Sequence, residues 1–123
     1  MVLGIGCDII EIARIKKSLE KENFLHRYFT NKEIKLINER GFCASATAAG
    51  NFCAKEAVAK AFGIGFGDIM PIDIEILRSD KNAPYVILHG KALLEFERLE
   101  ALNIFLSISH SKEMAIAYVV IEN

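Results

Sequence analysis

The chain lacks a surplus of charge of either sign, a paired set of cysteines, and any apolar run long enough to cross a bilayer. Its 15 Lys and Arg are balanced by 16 Asp and Glu, which excludes a general polycation and with it bulk electrostatic binding to nucleic acid or to a membrane surface. Any basic patch must be local. Three cysteines, Cys7, Cys43 and Cys53, form an odd set without a C-x-x-C pair, so neither a disulfide framework nor a zinc knuckle is indicated. A reducing cytoplasm is the expected location. The run from Val2 to Ile12 carries Asp8 and Glu11 and has no basic lead-in, so it does not read as a signal peptide. Internal repeats, low-complexity stretches and interdomain linkers are absent as well. What is present is 52% hydrophobic and 25% charged residues over 123 positions, the profile of one compact domain, residues 1–123. A chain of this size builds a deep substrate cleft more readily with a second subunit than alone.

Val2 to Ile9 alternates, with Ile5, Cys7 and Ile9 on one side and Gly4, Gly6 and Asp8 on the other, which predicts a strand. From about Ile10 the spacing of Ile12, Ile15 and Leu19 predicts an amphipathic helix, with Arg14, Lys17 and Lys21 outside the apolar stripe. A short helix is expected from Asn31 through Ile37, because Thr30 can cap it and Glu33 completes a capping box; Gly41 closes it. Ser45 to Phe62 is the long central helix, rich in alanine, apolar on almost every side and ended by Gly63. Gly63, Gly65 and Gly67 make a flexible connection. Ile72 to Ile76 alternates strictly and predicts a strand with one wet face, joined through turn residues Ser79 to Pro84 to a partner at Tyr85 to Leu88. Lys91 to Leu102 is a further amphipathic helix with Leu94, Leu99 and Leu102 among its apolar positions. Ile104 to Ser109 and Met114 to Ile121 read as a closing hairpin around His110 to Glu113. Strands in antiparallel pairs, without a strand–helix–strand rhythm, make this an α+β domain.

Two places carry charge where little is expected. In the central helix Glu56 and Lys60 are four residues apart and therefore neighbours, while Lys55 points elsewhere. They are either an exposed helix pair worth about 0.2–0.5 kcal/mol or, given the alanine-rich surround, buried charges that need a partner or a ligand. Asp8 poses the same choice: it either caps the following helix or faces a ligand across a side cleared by Gly4 and Gly6. Two carboxylates and a lysine suit magnesium with a phosphorylated substrate, since magnesium keeps octahedral oxygen coordination and commonly takes one or two carboxylates with substrate oxygens. Residue chemistry reaches a possible magnesium–phosphate site and no named reaction.

The segment Gly4-Ile5-Gly6-Cys7-Asp8-Ile9-Ile10-Glu11-Ile12-Ala13-Arg14-Ile15 closely resembles the opening motif of the holo-acyl-carrier-protein synthases, the short bacterial class of phosphopantetheinyl transferase. Phe52-Cys53-Ala54-Lys55-Glu56-Ala57-Val58-Ala59-Lys60-Ala61 is similar to that family's second motif, and Ser107-Ile108-Ser109-His110-Ser111 to its C-terminal one. The three stand in the family's order and span essentially the whole chain. The resemblance implies an α+β fold assembling as a homotrimer with sites between subunits, Mg2+ held by Asp8 and Glu56, coenzyme A as donor, and a serine of an acyl carrier protein as acceptor. It places Lys60 on the donor phosphates and Glu56, directly or through a water, as the base. His110 is either a donor-phosphate or nucleotide contact, from a neighbouring subunit included, or an ordinary turn histidine. Arg14 is either a dock for an acidic carrier-protein helix or a partner of Glu11 on a solvated face. Many relatives carry a basic residue where this chain has Asn51, so a donor-phosphate contact is expected to be lost or supplied elsewhere. Cys53 stands for a commoner alanine and, like the other cysteines, is not expected to be catalytic; His26 and His89 are expected at the surface or in turns. Two rival readings are another magnesium-dependent enzyme of nucleotides or pyrophosphate, and a non-catalytic module that binds a carrier protein or nucleotide.

Overall fold

In the computed structural model, which describes residues 1–123, a central helix lies across one face of an antiparallel sheet. The strands β1 (Val2–Glu11), β4 (Asn103–His110) and β5 (Met114–Glu122) form that sheet in the order β1-β5-β4. The helix, α4 (Ala44–Ala61), packs on β1 and β5 and extends to β4. A separate two-stranded ribbon of β2 (Ile74–Arg78) and β3 (Pro84–Leu88) flanks it, and α1 (Ile12–Leu19), α2 (Phe24–Tyr28), α3 (Asn31–Asn38) and α5 (Gly90–Arg98) complete the α+β architecture.

Close approach of α4 to β1 is what the two strand glycines permit. A Cβ on Gly4 would stand 1.9 Å from the carbonyl oxygen of Ala61, and one on Gly6 1.8 Å from that of Ala57. The cleared side of β1 is therefore filled by the chain's own helix rather than left open to a ligand, and Asp8, next along the same side, is brought against α4. The inward faces of the sheet and α4's alanines meet in one core of 21 buried residues, among them Ala57, Val58, Ala115, Ala117 and Val119.

The opposite side of the sheet is apolar and bare. Ile5 pairs with Val120, Cys7 with Tyr118 and Ile9 with Ile116, while Phe105 pairs with Val120 from the other side. Ile5, Ile9, Phe105 and Tyr118 are each about half exposed or more. No helix of the chain is long and apolar enough to cross a membrane.

Several boundaries differ from the sequence reading. The first strand continues to Glu11, so α1 begins at Ile12 rather than Ile10. The five-residue helix α2 has no counterpart in the reading. Ile72 lies in a 3-10 turn, Pro71–Asp73, and the strand runs from Ile74 to Arg78. The wet face expected there is closed over: Glu75 is buried, accepting a hydrogen bond from the hydroxyl of Thr30 and facing Nε2 of His89 at 3.2 Å. His89 lies exposed between β3 and α5, as expected, and is in addition a partner of Glu75. The last helix stops at Arg98, because Glu100 takes a left-handed conformation (φ 56°) and the Ala101 N–H bonds back to Phe96 O. Leu94 and Leu102 are exposed instead of lining a core stripe.

Candidate active site

Asp8 leaves β1 on the α4 side, and Glu56 and Lys60 leave α4 one turn apart toward it. Lys60 Nζ stands 3.0 Å from Asp8 Oδ1 and 3.0 Å from the carbonyl oxygen of Cys7. All three line a cleft of about 730 Å³, together with Phe52 from the same helix and, from α1, α2 and the segment between them, Arg14, Lys21, Arg27 and the aromatic rings of Phe24 and Tyr28. Tyr28 meets Phe24 and Phe52 at centroid distances of 5.0 and 5.8 Å. The cleft thus has an ionic floor and a basic, aromatic side.

Electrostatics set the two carboxylates against each other. Burial pushes the Glu56 carboxyl up from its ordinary range, the charge of Asp8 pushes it further, and Lys60 only partly offsets both. A hydrogen bond to Asp8 holds the Lys60 ammonium above its ordinary value, with the charges of Asp8 and Glu56 adding to this against slight desolvation. Two hard oxygen donors with a surplus of negative charge fit a hard divalent cation. Nowhere do three His, Cys, Asp or Glu side chains converge as a complete ligand set, so such a cation would draw its remaining ligands from water and substrate oxygens, as magnesium does beside phosphates.

Arg14 faces this same cleft and enters no ion pair, so it is not held by Glu11. His110 does not. It ends β4 and lies in a second cleft of about 840 Å³ with Lys16, Phe42 and Lys112, leaving Asp8, Glu56 and Lys60 without a histidine from their own chain. Asn51 is wholly buried and donates to Glu33 Oε2 at 3.2 Å and Ile76 O at 3.0 Å; it is a core residue here, turned away from the cleft. Cys53 lies under the site, where burial and the neighbouring Asp8 push its thiol up to about 12, so it stays protonated and inert.

The sequence reading missed the aromatic wall and a second ionic group. Lys55, one residue before Glu56, is fully buried. It donates to Glu33 Oε1 at 2.7 Å, Pro71 O at 2.9 Å and Ile74 O at 2.5 Å, and its ammonium stands 5.2 Å from the ring of Phe29. Burial drives Glu33 toward its neutral form and Lys55 toward its own, each opposed by the other's charge. Glu33 also completes the capping box with Thr30 that its position suggests. The available clue was a lysine inside an alanine-rich helix on a different side from Glu56.

The pattern that defines the 4′-phosphopantetheinyl transferase superfamily matches residues 4–119. The chain is 51% identical to the holo-[acyl-carrier-protein] synthase of Clostridium botulinum strain Alaska E43 over 123 residues, covering 99% of this chain and 98% of that one. A crystal structure of the Bacillus anthracis holo-(acyl-carrier-protein) synthase in complex with CoA (3′,5′-ADP) is 39% identical and superposes with a TM-score of 0.85, covering 100% of this chain and 98% of that chain. The Helicobacter pylori holo-[acyl-carrier-protein] synthase in complex with coenzyme A is 37% identical with a TM-score of 0.82, covering 96% and 99%. With these relatives, the chain belongs to the 4′-phosphopantetheinyl transferase superfamily.

Proposed function

We propose that this chain is a holo-[acyl-carrier-protein] synthase, which transfers 4′-phosphopantetheine from coenzyme A to a serine of apo acyl carrier protein. The observation that carries the reading is the meeting of Asp8, Glu56 and Lys60 in one cleft, in a chain whose 51%-identical relative bears that name and whose structural relative binds coenzyme A.

In this account Asp8 and Glu56 hold Mg2+, which when bound neutralises charge on the donor pyrophosphate. Lys60, kept charged beside Asp8, contacts the same phosphates and stabilises the charge that builds on them. The serine hydroxyl forms a bond to the β-phosphorus, the bond from that phosphorus to the bridging pyrophosphate oxygen breaks, and adenosine 3′,5′-bisphosphate leaves with the electron pair. The serine proton passes to Glu56, directly or through a water that it orients; the water route suits a carboxylate whose basicity a bound cation lowers. Arg14, free of any ion pair on the wall of the cleft, docks an acidic helix of the carrier protein by charge complementarity.

The active form is a homotrimer of single-domain chains, residues 1–123, closed through the bare face of the sheet. Ile5, Ile9, Phe105 and Tyr118 make a contiguous apolar surface there, the kind that marks a protein interface. His110, apart from the Asp8 cleft of its own chain, reaches donor phosphate or nucleotide at the site of a neighbouring subunit. A cytoplasmic location suits three unpaired cysteines, and fatty acid biosynthesis is the process a charged acyl carrier protein serves. The test is release of adenosine 3′,5′-bisphosphate from coenzyme A: it should require both apo carrier and Mg2+, and release without a carrier would overturn the assignment.

A further inference from the structure

Behind Glu56, on the other side of α4, Lys55 and Asn51 sit one turn apart and both bind Glu33. Lys55 spends all three of its N–H donors, on Glu33, Pro71 O and Ile74 O, and Asn51 adds a bond to Ile76 O. One helix face is thereby tied to the first turn of α3, to the 3-10 turn at Pro71 and to β2. The opposite contact of α4, at Ala57 and Ala61, is the notch of Gly6 and Gly4 that carries Asp8. Rotation or sliding of α4 would move Glu56 relative to Asp8, and these two attachments together forbid both.

Ion pairs with no exposure at all, such as Glu33 with Lys55, are weak sources of stability, since apolar replacements of similar volume are often neutral or better. What such a pair does supply is a fixed geometry, and outer residues that orient ligating groups commonly change metal affinity by about 10- to 100-fold. We propose that the buried Glu33–Lys55–Asn51 network is the device that positions Glu56 for cation binding, with Lys55 a positioning residue rather than a catalytic one. This inference rests on the metal role proposed for Asp8 and Glu56.

The experiment measures Mn2+ binding to the whole protein, in the presence of coenzyme A and without carrier, by electron paramagnetic resonance, alongside thermal melting. Lys55→Met should weaken Mn2+ binding about 10-fold or more. Because this single change strands a buried Glu33, the double variant Glu33→Gln, Lys55→Met is measured too. It should melt above the single variant and still bind Mn2+ about 10-fold more weakly than wild type. Unchanged Mn2+ affinity in a folded single or double variant, or recovery of affinity in step with melting temperature, would overturn the positioning role. Absence of Mn2+ binding by wild type would overturn the metal reading beneath it. Intact Mn2+ contrasts in a protein that transfers nothing would support the network and refute only the proposed reaction.

Discussion

Lys60 Nζ and Asp8 Oδ1 stand 3.0 Å apart, the lysine side chain half exposed at 52% and the aspartate at 20%. The pair joins α4 to β1 along the floor of the cleft, and its partial exposure leaves it little weight in stability. Its consequence is functional: replacing Lys60 by alanine should leave melting nearly unchanged and lower kcat/KM for coenzyme A by about 10²-fold, a loss typical of one electrostatic contact to a charged transition state. Steady-state kinetics at saturating carrier would read it.

Burial and the charge of Asp8 push the Glu56 carboxyl up from its ordinary value, and Lys60 only partly offsets them. A carboxyl whose value is raised by folding favours the folded state only when protonated, so ionisation at neutral pH costs stability, and that cost disappears as pH falls below the ordinary range near 4.5. Glu56→Gln should therefore raise the melting temperature of the metal-free protein at pH 7, show no gain near pH 4, and lower transfer by about 10²-fold or more. Melting curves at the two pH values, with and without Mg2+, check both signs.

For Glu75 the sign reverses. Burial alone would raise its carboxyl, but hydrogen bonds from Thr30 and His89, with the charge of His89, outweigh it and leave it below the ordinary value. Its contribution to stability is present above the unfolded value near 4.5 and is lost as pH falls through the folded one. Glu75→Gln should lower the melting temperature at pH 7, and the difference from wild type should shrink on acidification below about pH 4.

How far the sequence revealed this site can be judged from β1 and β2. Alternation in β1 separates Asp8 from Ile5, Cys7 and Ile9 correctly, and the two glycines correctly mark a close approach. Which body makes the approach is a tertiary fact: α4 fills the notch. In β2 the same alternation placed Glu75 on a face expected to be wet, but Thr30 and His89, 45 and 14 residues away, cover it. Periodicity reports which residues share a side and says nothing of what packs there. The helix α2 was invisible because five residues hold barely one turn and give no recurring apolar spacing. Its aromatic wall was missed with it. Lys55 could be seen to differ from Glu56 in direction, yet its three acceptors come from α3, the turn at Pro71 and β2, which only the fold brings together.

Gly6 supplies a sharp test of that packing. An alanine there would press its Cβ on the Ala57 carbonyl, a backbone atom with no rotamer to yield, as would one at Gly4 on Ala61. Gly6→Ala should cost about 3 kcal/mol by overpacking, read by denaturant unfolding, and should reduce transfer because α4 is displaced from Asp8.

The bare sheet face predicts oligomeric state. Light scattering on wild type should give three times the chain mass of 13.7 kDa, and Tyr118→Lys with Phe105→Lys should shift it toward the single-chain mass. Transfer should fall with the trimer, since His110 then serves no neighbouring site.

The central claim is tested most directly by the intact mass of an apo acyl carrier protein after incubation with coenzyme A, Mg2+ and this chain. Wild type should convert the carrier to a species heavier by one phosphopantetheine group, and Asp8→Ala or Glu56→Ala should leave it almost unmodified even at raised Mg2+. A carrier that keeps its apo mass with the wild-type protein would contradict the account and leave a binding module or a different pyrophosphate chemistry in its place.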